Sequence, residues 1–370
     1  MKKILPAIIL IILILGVAIY YLLTINNSSQ ALDTSSLREA AYYEELAGGA
    51  VRCNLCPNNC LLAEGQRGLC KVRQNIGGKL YNLVYGKVVA LHLDPIEKKP
   101  FFHFLPGSQS YSLATAGCNL TCLYCQNWEI AQNFPEDVRA ESISPEQVVA
   151  EAKKSGAQSI ALTYSEPIAF YEYMLDIAKM ARPQGIKVVV VSNGYINEEP
   201  LRELLKYIDA IKIDLKGFNE EFYQRIVGGR LAPVLESLKI IKQSGVWLEI
   251  VNLLIPGEND SEQEIKAMSQ WIKENLGEDV PLHFSRFYPM YKLQNLPPTP
   301  EETVKRARRL ALEVGLKYVY TGNIDDPESW ATYCSKSGRV AIKRIGYFVE
   351  ENNLINGACP DGEKIPGVWQ

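Results

Sequence analysis

The sequence predicts an α/β protein built on a parallel sheet, preceded by a membrane anchor and a cysteine-rich segment and followed by a small tail. Three observations carry that reading. Short β-rich runs alternate with amphipathic helical runs from residue 110 to residue 322. Residues 4–23 are almost wholly aliphatic. Seven of the nine cysteines fall in two tight sets rather than singly.

The chain has 370 residues, and the part beyond the aliphatic N-terminus exceeds the ~250–300 residues at which single cores usually stop growing, barrels excepted. With 47% hydrophobic and 22% charged residues, 26 Gly and 20 Pro, it is globular, which excludes disordered, collagenous and low-complexity classes. A net charge of −3 and a pI near 5.9 advertise no nucleic-acid partner. Three His leave little room for imidazole metal sites.

In chain order, residues 1–25 form the anchor. No charge appears between Lys3 and Asp33, and Tyr20 and Tyr21 sit near one end as interfacial aromatics do. Twenty helical residues at 1.5 Å each cover the ~30 Å core of a bilayer. A cleaved signal peptide would have a shorter apolar region and a small-residue cleavage site. Residues 26–50 read as a polar linker with a short helix at 37–46, and 51–109 as a cysteine-rich subdomain ending in hairpin-like apolar alternation. Residues 110–322 form the core, with strands at 111–114, 159–163, 187–192, 210–215, 247–255, 282–287 and 318–321. Helices are expected between them at 145–155, 168–181, 200–207, 233–243, 262–274 and 300–313. Ser144 with Gln147, and Ser261 with Glu264, have the spacing of N-terminal capping boxes. Such alternation specifies a parallel sheet, open or closed into a barrel. Residues 323–370 form the tail.

Cys118, Cys122 and Cys125 make C-x3-C-x2-C directly after the first core strand. Three thiolates so close, with no fourth nearby, suit a four-iron cluster with one iron left open, whereas structural zinc wants four protein ligands. Cys53, Cys56, Cys60 and Cys70 form a second set, C-x2-C-x3-C-x9-C, that reads as a candidate metal or cluster site. Its spacing matches neither a zinc ribbon nor the bacterial ferredoxin run, and two disulfides would compete if the body lay outside the cytoplasm. Cys334 and Cys359 are left free, paired or relics.

The run Gly117-Cys-Asn-Leu-Thr-Cys-Leu-Tyr-Cys-Gln-Asn-Trp128 resembles the cluster loop of radical SAM enzymes. With Asp94-Pro-Ile-Glu-Lys-Lys-Pro100, Thr163-Tyr-Ser-Glu-Pro167, Val191-Ser-Asn-Gly-Tyr195, Asp214-Leu-Lys216, Leu254-Ile-Pro-Gly-Glu-Asn-Asp260 and His283-Phe-Ser-Arg-Phe287, it is similar to the radical SAM enzyme of the AmmeMemoRadiSam system. That group is similar in turn to pyruvate formate-lyase activating enzymes. The resemblance spans residues 51–370. It implies a partial (β/α)6 barrel whose [4Fe–4S] cluster is ligated by Cys118, Cys122 and Cys125, with S-adenosylmethionine on the open iron. By position it implies cofactor-binding roles for Asn127, for Ser165 and Glu166 beside the methionine amino group, and for Ser192, Asn193 and Gly194 on the ribose side. Asp214 and Lys216 fall toward the methionine carboxylate and sulfonium, and His283 and Arg286 toward adenosine or substrate. Tyr164, Glu249 and Asn252 could also line the cavity, but taken singly they read as ordinary strand positions.

The chain departs from the resembled pattern twice. Tyr164 and Ser165 stand where a Gly-Gly pair precedes the Glu. In the tail, Cys334-Ser-Lys-Ser337-Gly338 and Cys359-Pro-Asp-Gly362 lack the partners of a four-thiolate zinc knuckle, so the tail is expected to bind no metal.

The expected activity is reductive cleavage of S-adenosylmethionine to a 5′-deoxyadenosyl radical that abstracts hydrogen from a protein or small-molecule substrate, as the activating enzymes do. The expected partners are an electron donor such as flavodoxin or ferredoxin and Memo-like and AMMECR-like proteins. The alternative is a membrane-bound iron–sulfur electron-transfer or redox-sensing protein without turnover. Lys2 and Lys3 would place the body outside, whereas low-potential cluster chemistry favours a cytoplasm-facing body, which is the orientation expected here.

Overall fold

The computed structural model describes residue 34 and residues 37–370. The expected anchor at 4–23 lies outside the described residues, among which no helix is long and apolar enough to cross a membrane. Arg38–Gln370 forms one compact unit.

Its centre is an eight-stranded mixed sheet: β1 (Ala90–Pro95), β2 (Gln109–Ala114), β3 (Ser159–Leu162), β4 (Lys187–Ser192), β5 (Ala210–Asp214), β6 (Trp247–Leu254), β7 (Leu282–Arg286) and β8 (Val319–Gly322). The strands neighbour one another in sequence order. β1 runs antiparallel to β2, and every later pair is parallel, with Leu162 opposite Leu113 and Asp214 opposite Val251. Because the order never reverses, right-handed crossovers put all the connecting helices on one face, as in a barrel wall. Strands covered on both sides should be apolar almost without interruption, and β4, Lys-Val-Val-Val-Val-Ser, is the clearest case.

The crossovers are α1 (Pro145–Lys154), α2 (Tyr171–Ala181), α3 (Glu198–Leu204), α4 (Leu231–Ser244), α5 (Glu262–Leu276) and α6 (Glu301–Val314). At α1 the capping box forms in full: Gln147 N–H donates to Ser144 Oγ at 3.3 Å, and Ser144 N–H donates to Gln147 Oε1 at 2.8 Å. At α5 only half forms. Ser261 Oγ accepts from Glu264 N–H at 3.2 Å, but the Glu264 carboxylate accepts from Phe218 N–H at 2.6 Å and Asn219 Nδ2 at 2.7 Å instead. That diversion fixes the loop after Lys216.

Two sequence expectations are corrected. Residues 37–46 are extended, with strands Arg38–Glu39 and Tyr43–Glu45, because their backbone pairs with Tyr81–Asn82 and with Val51–Cys53, and tertiary pairing overrides helix propensity. Ala90–Pro95 joins the central sheet as its antiparallel edge rather than closing an N-terminal hairpin. Small sheets at Arg38–Glu39/Lys79–Asn82/Arg73–Ile76 and at Tyr43–Glu45/Val51–Cys53/Leu61–Leu62 carry the cysteine-rich segment. The tail folds as β9 (Thr332–Tyr333), β10 (Val340–Ile345) and β11 (Phe348–Asn352).

The tail is fastened through polar groups. His103 Nδ1–H donates to Pro366 O at 2.8 Å, and His103 Nε2 accepts from Tyr320 OH at 2.6 Å. Arg344 donates to Phe102 O at 2.6 Å and lies 4.2 Å over the Phe102 ring. Cys334 and Cys359 are joined by a disulfide and buried with Phe102, Tyr318 and Tyr320.

Candidate active site

A cavity of about 780 Å³ opens at the carboxyl ends of the strands, where sheets of this topology place their functional loops. Its floor is the loop between β2 and α1 that carries Cys118, Cys122 and Cys125, all three unpaired. That loop is held by backbone. Thr121 N–H donates to Val227 O at 3.0 Å, Leu123 N–H to Ile226 O at 2.9 Å, and Gly117 N–H to Ile130 O at 2.9 Å. The first two acceptors belong to a π-turn, Tyr223–Val227, a rare element that is over-represented at functional sites. Gly228 ends it at φ +77°, where a Cβ would lie 2.0 Å from Thr121 Oγ1, so only glycine admits the close approach.

Side chains complete the frame. Asn193 Nδ2 donates to Asn119 Oδ1 at 2.8 Å and lies 3.8 Å from Cys118 Sγ. Asn119 Nδ2 donates to Tyr195 O at 2.7 Å, Asn127 Nδ2 to Tyr164 O at 2.7 Å, and Gln132 Nε2 to Leu120 O at 3.0 Å. The strand-end turns and the cysteine loop are therefore one hydrogen-bonded unit. Burial pushes all three thiols up, Cys125 to about 11. Without a metal they are protonated, and a bound cation is what would ionise them.

Glu166 is buried and accepts from Ser192 Oγ at 2.7 Å, Asn193 N–H at 2.9 Å and Ile168 N–H at 3.1 Å. Its carboxylate thus fixes the turn after β4, and burial raises its pKa to about 7 against those three donors. Ser165 Oγ donates to Thr115 O at 2.6 Å. At the end of β5, Asp214 lies between two lysines: it pairs closely with Lys212, and its other oxygen is 3.5 Å from Lys216 Nζ. Asn259 Nδ2 donates to Lys216 O at 2.7 Å, and Tyr223 OH accepts from Lys216 N–H at 3.2 Å, so the lysine backbone is fixed while its ammonium is loosely paired.

Of the residues singled out from the sequence, the cavity brings together Cys118, Cys122, Cys125, Asn127, Ser165, Glu166, Ser192, Asn193, Asp214, Lys216, His283 and Arg286. Gly194 is not in its lining. Gly194 sits behind the wall at φ +70°, where a Cβ would be 3.1 Å from Ile213. His283 contacts Glu249 Oε2 through Nε2 at 2.7 Å, and Arg286 donates to Thr299 O at 2.8 Å and Glu301 at 3.2 Å, so both are already engaged.

Lys98 and Lys99 also line the cavity, with no site role given to them by the sequence. Lys99 donates to Asp94 at 2.6 Å, and Lys98 reaches the same carboxylate at 2.9 Å. Tyr164 donates to it too and sits at φ +63°, a conformation costly for a bulky side chain. Burial pulls Lys99 down to about 8 despite Asp94, while Asp94 is held well below the usual carboxylate range by Lys99, Tyr164 and Lys98, which outweigh its burial. Asp94 and Tyr164 are 70 residues apart, and only the Asp-Pro-Ile-Glu-Lys-Lys run hinted at the cluster. Glu249 and Asn252, treated as ordinary strand positions, are buried: Glu249 accepts from Phe102 N–H, His103 N–H and Trp247 Nε1, and Asn252 donates to Leu215 O.

Residues 112–268 match the family model of the radical SAM superfamily. The chain is 46% identical over 318 residues to the uncharacterized protein MJ0808 of Methanocaldococcus jannaschii, covering 86% of this chain and 95% of that one. The chain belongs to the radical SAM superfamily. It is also similar to the pyruvate formate-lyase 1-activating enzyme of Escherichia coli K12, at 23% identity over 55% of this chain and 89% of that enzyme. The pyruvate formate-lyase-activating enzyme of Staphylococcus epidermidis is 27% identical over 54% and 87% of the respective chains.

This radical SAM chain is therefore an enzyme, and its membership implies a [4Fe–4S] cluster and S-adenosylmethionine. The residues fit both groups: three unpaired thiols on a pinned loop face a cavity that also holds two lysines against one aspartate. The matched stretch contains the cysteine loop, Glu166, Ser192 and Lys216, and stops short of His283 and Arg286.

Proposed function

We propose that the chain is a radical SAM enzyme of the AmmeMemoRadiSam type that abstracts hydrogen from a protein or small-molecule substrate, in the manner of the glycyl-radical activating enzymes. The observation that carries this reading is the opening of the Cys118, Cys122 and Cys125 loop onto the same cavity as Glu166, Asp214 and Lys216. When bound, the cluster supplies the one electron that cleaves S-adenosylmethionine into methionine and a 5′-deoxyadenosyl radical.

The three cysteines would hold the cluster. Lys216 is the group for the methionine carboxylate: Lys212 and Lys216 share one aspartate, which leaves one positive charge for an incoming anion. Asp214 opposes the sulfonium charge. Ser165 and Glu166 set the backbone beside the methionine amine, because the Glu166 side chain is already committed to the turn after β4. Ser192, Asn193 and Gly194 shape the ribose side, and Asn127 ties the cysteine loop to Tyr164. His283 and Arg286, on β7, are assigned to the adenosine or substrate side. Excluding bulk water falls to the cavity walls, including Trp330 and Tyr347 from the tail region.

The proposed partners are flavodoxin or ferredoxin as electron donor and Memo-like and AMMECR-like proteins, with residues 4–23 anchoring a cytoplasm-facing body. A reporter fused after Gln370 that is active only outside the cell would reverse that orientation. The activity is tested by incubating anaerobically reconstituted protein with S-adenosylmethionine and dithionite: 5′-deoxyadenosine is expected, and its absence despite a full cluster would overturn the reading. A glycyl radical signal in lysate would assign a protein substrate.

A further inference from the structure

Cys53, Cys56, Cys60 and Cys70 lie outside the cavity, and nothing in the activity above uses them. The structure draws Cys60 and Cys70 together and sets Cys53 beside a buried arginine. Cys60 Sγ and Cys70 Sγ are 3.7 Å and 3.6 Å from the same point beside Gly68. Arg73 Nη1 donates to Cys53 Sγ at 3.3 Å. Arg73 is 1% exposed, pairs with Glu172, and leaves its Nε without a partner. A fully buried guanidinium directed at a group of thiols is the setting of a site that carries negative charge when filled.

Three occupants compete. Disulfides are disfavoured because all four sulfurs are unpaired in a structure that does join Cys334 to Cys359. A tetrahedral zinc ion with Zn–S bonds of about 2.3 Å would draw its four sulfurs to within about 4 Å of one another. Among the described residues, Cys359, Asp361 and Glu363 are the one group of three ligand atoms lying within 4.8 Å of each other, so the quartet is spread more widely than zinc requires. Cys60 and Cys70 sulfurs that share the space beside Gly68, with Cys53 held by Arg73 and no three of the four as close as zinc requires, suit a polynuclear cluster, in which each thiolate has its own iron.

The site also has two faces. Inward, its backbone touches the loop of the first cysteine set: a Cβ on Gly117 would lie 3.0 Å from Cys70 O and 2.7 Å from Val72 Cγ1, and Asn58 Nδ2 donates to Asn119 O at 2.8 Å. Outward, Cys56, Cys60 and Cys70 are half-buried, and Leu61 and Leu69 beside them are 61% and 43% exposed.

We propose that Cys53, Cys56, Cys60 and Cys70 hold an iron–sulfur cluster with every iron bound by a protein thiolate, and that this cluster relays electrons from the surface to the loop of Cys118, Cys122 and Cys125. With no open iron it binds no substrate. A low-potential one-electron donor protein loses one electron to it, and it returns to its oxidised state on passing that electron inward; no bond or proton changes hands. The relay rests on the radical SAM reading, whereas the cluster assignment does not.

The test uses the full chain, reconstituted anaerobically with iron and sulfide. Wild type should carry about eight irons, and C118A/C122A/C125A and C56A/C60A about four each, both with the paramagnetic resonance signal of one reduced cluster. One zinc, or no metal, in C118A/C122A/C125A would overturn the cluster. For the relay, freeze-quenched spectra should show reduced flavodoxin filling the inner cluster of wild type but not of C56A/C60A, while dithionite fills both. Equal reduction by flavodoxin in the two proteins would overturn the relay. Failure of wild type to cleave S-adenosylmethionine would sink the proposed function and leave the iron counts standing.

Discussion

The cysteine loop at the cavity floor and the C-terminal tail use the same side chain for opposite ends. In the loop, three sulfurs stay unpaired, the backbone around them is fixed by the π-turn and by Asn193, and the thiols open onto the cavity. In the tail, two sulfurs are consumed in a covalent staple, buried beside aromatic rings, with His103 and Arg344 hydrogen-bonded across segments inside the protein. The difference teaches that an unspent ligand persists where the backbone and neighbouring amide side chains carry the geometry. Where side chains must hold two segments together, they are spent on each other.

That contrast can be broken at either end. Cys122→Ser should remove one ligand without disturbing the backbone frame, so iron at this loop and 5′-deoxyadenosine formation should both fall below detection while the thermal midpoint changes little. A large drop in stability would mean that the thiol is a packing element. In the tail the reverse is expected. C334A/C359A removes a cross-link spanning 25 residues and should cost about 3 kcal/mol in denaturant unfolding, with iron content unchanged.

A pH series sharpens the same distinction. Burial pulls His103 from 6.5 to about 4. Below pH 6.5 the unfolded chain takes up this proton and the folded chain does not, so stability should fall as pH drops from 6.5 to 4, by up to about 3 kcal/mol. H103Q keeps polar atoms at the site and should flatten that part of the profile relative to wild type. The smallest effect belongs to the cavity. Lys216→Met should weaken S-adenosylmethionine binding by about 2 kcal/mol, roughly 30-fold, through loss of one charge-assisted contact. Unchanged affinity would show that Lys212 or Lys99 receives the carboxylate instead.

Much of this architecture is legible in the sequence. Parallel strands buried on both faces read as continuous apolar runs, so β4 stood out, and α1 announced itself through Ser144, Pro145 and Gln147. The thiols of the cavity floor were legible because three cysteines crowd within one loop. What was hidden depends on pairing across long separations. Arg38–Glu39 has helix-forming neighbours yet becomes a strand because Tyr81 and Asn82 lie beside it. The Asp94, Lys99 and Tyr164 cluster joins the antiparallel edge of the sheet to the end of β3. Glu249, alone on a strand, gains meaning only from His283, Phe102 and His103.

By itself the sequence determined the order of strands and helices, the two cysteine sets and the strand-end motifs, because each depends on residues within a few positions of one another. The tertiary structure decided which groups remain available. Glu166 is occupied by the turn after β4, Lys216 is left loosely paired, Cys334 is bonded to Cys359, and Cys70 lies against Gly117. The physical reason is that a side chain's free valence for hydrogen bonds, charge or metal is what remains after its spatial neighbours have taken their share, and those neighbours are set by the fold rather than by position along the chain.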